Sequence, residues 1–197
     1  MIDELKLYGA EYFDARIDPR RTIAYKQDAE NIIRYFPDTQ SILDIGCGTG
    51  EFANYLDCSY YGYDPFQGSN RQLPDNKYDV VVFRGTLQHI YNPVEMLIHA
   101  RDLSNIGIAI LATPDTDSLG YIRWGTLPAL DAKRNWIPFG HKMLDNILQR
   151  LNFANIEFSF PYGKPYARPL KNLYNFIIGK PDTFPGNMME CYAKKST

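Results

Sequence analysis

The segment Asp44-Ile45-Gly46-Cys47-Gly48-Thr49-Gly50 carries the densest chemical signal in the chain. The apolar run Ser41–Ile45 that leads into it reads as a buried parallel strand. Gly46, Gly48 and Gly50 then read as a tight turn onto which a ligand's backbone or sugar closes without meeting a Cβ. Residues 51–56 open a helix whose amide end faces that ligand. A dinucleotide site needs G-x-G-x-x-G, with a small third residue beside a pyrophosphate held on the helix amides. Here that third place is Glu51, and the pattern present is D-x-G-x-G-x-G. Asp44 repels phosphate and attracts a cation, so a ligand with a cationic end and no phosphate fits this turn better.

Asp64 closes the second apolar segment, residues 60–64, at the strand end where an open α/β sheet presents a side chain to its ligand. A carboxylate there can accept both hydroxyls of a ribose, or form an Asx turn with Pro65. Asp44 either orients the ligand's cationic end or caps the amides of the glycine turn, and the two roles are compatible. His89 lies just past the β-branched run 79–83. With an unperturbed pKa near ~6.5 it can take a proton at neutral pH, or it can serve only to position its neighbours. His99 sits on a helix expected outside the sheet. His141 opens a late helix close to a variable region.

At these residues the chain resembles the class I S-adenosylmethionine-dependent methyltransferases, whose first motif has this D-x-G-x-G-x-G form. S-adenosylmethionine carries a sulfonium, an ammonium and a ribose, and no phosphate. Residues 78–90 are similar to the family's F-D-x-(apolar)-x-x-x-x-x-L-x-H-(apolar) segment. Tyr91-Asn92-Pro93, with Leu97, Arg101 and Leu103, continues the likeness, as does Ala112-Thr113-Pro114-Asp115. It runs from Ile42 to Asp115 and resumes more loosely at 139–160, where Asn152 replaces the usual glycine before Phe153. The resemblance implies a cofactor site of Asp44, Gly46, Cys47, Gly48, Gly50, Asp64, Pro65, Asn70, Phe83 and Leu87. In it Asp64 holds the ribose, Asp44 the methionine end and the Phe83 carbonyl the ammonium, with Asn70 toward the adenine edge. His89 is the implied catalytic base, and S-adenosylhomocysteine is the product. Many relatives have a histidine four residues before Phe139; here Asn135 stands there.

The elements that must position these residues alternate. Helical spacing covers 21–36, stopped by Pro37, and strands read at 41–45, 60–64, 79–83 and 106–113. Helices read at 51–56, Pro93–Leu103 and 141–151, and final strands at 155–160 and 188–193. The fold class is α/β, a Rossmann-like, mainly parallel open sheet with helices on both faces. Only 14 residues separate Asp64 from Asp79. A helix of about ten and a strand of about five do not both fit there, so one strand is missing and that wall of the adenine pocket is a loop. The expected organisation is one domain: a helical cap over 1–40, a cofactor core over 41–115, an acceptor lid over 116–140, and a final helix and strands over 141–197.

Composition bounds the partners. The 197 residues carry 21 Lys and Arg against 23 Asp and Glu, a net charge of −2, which does not favour nucleic acid. No apolar run reaches membrane-span length, and the N-terminus lacks the order of a signal peptide. Three scattered cysteines suggest neither a disulfide framework nor a zinc site. The expectation is a cytoplasmic enzyme with a small-molecule acceptor and no nucleic-acid, metal or membrane partner. The segment 117–139, which holds both tryptophans, reads as the acceptor lid. Insertion 161–185, with Lys164, Arg168, Lys171 and Lys180, could attract an anionic acceptor or be solvated surface. The expected reaction is methyl transfer to an oxygen of a specialised metabolite or sugar-type molecule. The alternatives are another reaction on an adenosyl ligand, or a catalytically inactive partner subunit. Acceptor identity and oligomeric state stay open.

Overall fold

The computed structural model describes Tyr8 and residues 21–67, 70–161, 168–182 and 186–196. The helix expected over 1–20 lies outside the described residues, except for Tyr8. The elements are α1 (Arg21–Tyr35), β1 (Ser41–Ile45), a 3-10 turn (Glu51–Tyr55), β2 (Ser59–Tyr63), β3 (Tyr78–Arg84) and a 3-10 turn (Leu87–His89). They continue as α2 (Pro93–Leu103), β4 (Ser104–Pro114), α3 (Leu119–Trp124), α4 (His141–Arg150), β5 (Phe153–Ser159), α5 (Pro169–Ile177) and β6 (Met188–Lys195).

The strands form one sheet in the order β2-β1-β3-β4-β6-β5. β1 pairs in parallel with β2 and β3, and β3 with β4; β6 is antiparallel to both β4 and β5. β6 is thus the one reversed strand, and the sheet is mainly parallel as expected. The connection from β2 to β3 holds no helix or strand among its described residues, in keeping with the short spacing.

Alternation along the central strands sends successive side chains to opposite faces. Leu43, Val81, Phe83, Ile108 and Ile110 pack on one side with Leu97 of α2 and Leu144 and Leu148 of α4. Ile42, Val80, Val82, Ala109 and Leu111 pack on the other with Ala29 and Ile32 of α1. Both faces are buried, which explains why these strands read as continuous apolar runs. α2 is started by Asn92, whose side chain accepts from the Glu95 amide and donates to its carboxylate, with Pro93 in the first turn. After α4, Asn152 takes a left-handed conformation (φ 60°). Asparagine tolerates this better than most residues, so it serves where the resembling family has glycine.

Candidate active site

The carboxyl ends of β1, β2 and β3 meet at a cavity of about 250 Å³, the place where such sheets bind ligands. The wall after β1 is the glycine turn. The Gly46 and Cys47 amides both donate to the Tyr63 carbonyl at 2.7 and 3.2 Å, and Gly50 donates to the Cys47 carbonyl at 3.0 Å. Gly46 has φ 78°, and a Cβ placed on it would lie 2.2 Å from Thr86 Cγ2. Only glycine lets the turn pass that close to the end of β3.

Asp64 closes β2 and is buried. Its Oδ2 accepts from the Gly48 amide at 2.9 Å, and its Oδ1 accepts from the Phe66 and Gln67 amides at 2.9 and 3.1 Å. The Asx-type turn is therefore present. With two lone pairs per carboxylate oxygen, Oδ2 keeps acceptor capacity toward the cavity.

Asp44 is buried at the cavity wall, and Tyr60 donates to its Oδ2 at 2.8 Å. Its Oδ1 is buried with no hydrogen-bond partner. Burial raises this carboxyl to about 6; the Tyr60 hydroxyl and Arg84 oppose the rise, and Asp64 adds to it. A buried acceptor without a donor carries a desolvation cost that a cationic or donor ligand would relieve. The Cys47 thiol is pushed up to about 12, by burial first and then by Asp44 and Asp64, so it stays protonated and is no nucleophile.

The floor comes from elements the sequence reading did not connect to the site. Arg84, at the end of β3, donates from Nε to Asp28 Oδ2 of α1 at 2.6 Å and lies 4.1 Å from the centroid of the Tyr25 ring. Burial pushes the Asp28 carboxyl up against the pull of Arg84. The one available signal was a charged residue ending a β-branched strand, with Asp28 and Tyr25 on one helical face.

His89 ends the 3-10 turn after β3, and its Nδ1 lies 3.0 Å from the Arg134 carbonyl oxygen. The segment after β4 is also fixed to this turn by the Trp136 amide, which donates to the Gln88 carbonyl at 2.9 Å. Trp136 thereby lines the cavity and meets Tyr91 edge-on at 5.2 Å. Trp124 lies elsewhere, against Phe176 of α5. On the far side Tyr8 stacks on Phe66 at 4.8 Å, so the wall after the shortened β2–β3 loop is aromatic.

Of the expected site residues, Asp44, Gly46, Cys47, Gly48, Asp64, Pro65 and His89 line the cavity. Gly50, Asn70, Phe83 and Leu87 do not. Gly50 caps the first 3-10 turn in a left-handed conformation. Asn70 accepts the Asp64 amide on its own carbonyl and donates from Nδ2 to the Gly62 carbonyl at 3.2 Å, which ties the loop to β2. Phe83 and Leu87 are fully buried in the core; beyond Phe83 it is Arg84, Gly85 and Thr86 that reach the cavity. Asn135 is half-buried, its Oδ1 accepting from the Asp131 amide. Lys164 lies outside the described residues.

An open sheet of this order, with a phosphate-averse glycine turn and a carboxylate at the end of the second strand, defines a class I S-adenosylmethionine-dependent methyltransferase. Residues 18–158 match the family model described as a methyltransferase domain, and the chain belongs to this family. No curated protein matches the chain. Among solved structures it is similar to a SAM-dependent methyltransferase from Archaeoglobus fulgidus, at 21% identity over 89% of this chain and 94% of that one, TM-score 0.56. A possible histamine N-methyltransferase from Thermotoga maritima shares 15% identity over 87% and 89%, TM-score 0.59. The plantazolicin methyltransferase BpumL, solved with S-adenosylhomocysteine, shares 17% over 95% and 89%, TM-score 0.59. The cofactor is S-adenosylmethionine, and the unsatisfied Asp44 oxygen and the glycine turn at the cavity wall fit it.

Proposed function

We propose that the protein methylates an oxygen of a small-molecule acceptor, with His89 as the proton acceptor. The observation that carries this reading is the contact of His89 Nδ1 with the Arg134 carbonyl oxygen. The Arg134 carbonyl can only accept, so in the neutral ring Nδ1 bears the proton and Nε2 bears the lone pair. The ring lines the cavity that holds the glycine turn and Asp64, which suits it to take a hydroxyl proton as methyl transfer proceeds.

Asp44 Oδ1 pairs with the cofactor's ammonium, Asp64 Oδ2 accepts from the ribose, and Pro65 and Phe66 flank the adenine. Gly50, Asn70, Phe83 and Leu87 act from behind, holding the turn, the loop and the strand end. S-adenosylmethionine supplies an already activated methyl group, so the protein's remaining task is to hold the acceptor oxygen in line. Ile90, Tyr91, Met96 and Trp136 form an apolar and aromatic wall beside His89, which favours an acceptor with one flat or apolar face and one hydroxyl. The plantazolicin enzyme among the fold's neighbours was solved with a pentazolic desmethylPZN analogue.

Methyl-labelled S-adenosylmethionine offered with panels of phenols, sugars, amines and carbon nucleophiles tests the reading. Transfer to hydroxyl acceptors is expected. His89→Ala should lower kcat by about 10²–10⁴-fold, leave S-adenosylhomocysteine binding unchanged and remove the acid limb of the pH profile. Transfer to amines or carbon alone, or an unaltered kcat in His89→Ala, would contradict it.

A further inference from the structure

α5 is folded with its apolar side outward. Leu170, Leu173, Tyr174 and Ile177, at i, i+3, i+4 and i+7, are 56–85% exposed, while the polar Asn172 is the buried residue of the helix. This is the stripe that a surface helix normally turns to the core. α3 repeats the inversion, with Leu119 and Ile122 exposed by 78 and 70%. The two helices are joined: Trp124 Nε1 donates to the Gly179 carbonyl at 3.2 Å, and the Arg123 guanidinium lies 4.4 Å from the centroid of the Phe176 ring. The two helices are therefore neighbours, and none of their residues lines the cavity. An exposed apolar stripe of this kind marks an interaction surface.

We infer that the α3–α5 platform docks the protein onto the surface of an anionic lipid bilayer. Charge complementarity selects this occupant. Residues 118–124 and 168–182 carry Arg123, Arg168, Lys171 and Lys180 against Asp182 alone, in a chain whose net charge is −2. The Asp182 carboxylate accepts from the Asn175 amide, and all four cations are exposed. An apolar stripe rimmed by Lys and Arg lies in the bilayer interface and draws on anionic lipid. A second copy seated symmetrically would set the same cations against one another. The described helices include none long and apolar enough to cross a membrane, and a surface contact requires none. The sequence expectation of no membrane partner rested on spans alone.

The test is co-sedimentation of the full chain with vesicles of phosphatidylcholine, or of phosphatidylcholine with an equal share of phosphatidylglycerol. Binding is expected to the anionic vesicles only, and to weaken with salt. Lys171→Gln should reduce it about fivefold, and Leu170→Ser with Ile177→Ser should abolish it. S-adenosylhomocysteine affinity and the thermal transition should stay unchanged in both, so failure here is separable from failure of the methyltransferase reading. No binding to either vesicle overturns the inference, as does anionic binding that survives the double substitution. A dimer in sedimentation equilibrium that the double substitution dissociates would assign the platform to a second copy and overturn it too.

Discussion

Asp44 is a cavity residue whose charge its burial controls. Burial raises its carboxyl from 3.8 to about 6, so between those values the native state holds a proton that the unfolded chain has released. Raising the pH through this window removes that proton from a site that disfavours the charge, and stability falls. Above about 6 the cost is fully present, about 3 kcal/mol at neutral pH. Asp44→Asn keeps an oxygen for the Tyr60 hydroxyl and has no charge to bury. It should be more stable than the parent chain at pH 8, and its stability should be flatter between pH 4 and 6 in urea denaturation. The ligand acts in the opposite direction. An ammonium at Oδ1 favours the ionised form, so S-adenosylhomocysteine binding should strengthen as pH rises through about 6 and release a proton below it. Asp44→Asn should lose both behaviours in calorimetry. The sequence exposed Asp44 through its glycine spacing. It did not reveal the Tyr60 hydroxyl or the orphaned oxygen, because these arise from pairing between β1 and β2.

At the scale of elements, the turn after β1 depends on its approach to β3. Gly46→Ala places a methyl into the Thr86 side chain at a φ of 78°, so strain and overlap add. A loss of about 2–4 kcal/mol is expected in thermal or chemical unfolding. Thr86→Gly in the same chain should restore part of it by removing the overlap while leaving the backbone strain. An unchanged midpoint for Gly46→Ala would contradict this account of the turn. The buried strands and the long helices were legible, within a residue or two, because burial on both faces and the 3.6-residue period leave a plain pattern. α3 and α5 were not. Both are short, both lie in segments read as loop and insertion, and their apolar residues face outward, so the pattern carried no sign of what they cover. The Arg84–Asp28 pair was hidden for another reason: it joins β3 to α1 across 56 residues, and no local spacing reports such a contact.

Across the whole molecule, a sheet one strand short still brings the glycine turn, Asp64 and His89 to one cavity, because all three follow the carboxyl ends of adjacent parallel strands. The truncation falls at the sheet edge beyond β2, where Phe66 and Tyr8 supply an aromatic wall. That architecture was readable from the alternation of apolar segments and from the 14 residues between Asp64 and Asp79. The attachment of residues 134–136 to the His89 turn was not, since it rests on backbone carbonyls. The most direct test of the account is calorimetric titration of the full chain with S-adenosylhomocysteine, beside Asp64→Ala. Micromolar binding is expected in the parent chain, weakened about 10–100-fold in the variant, whose unfolding should remain cooperative. A folded parent chain that gives no binding heat with either S-adenosylhomocysteine or S-adenosylmethionine, at more than one temperature, would contradict the assignment of this cavity to the cofactor.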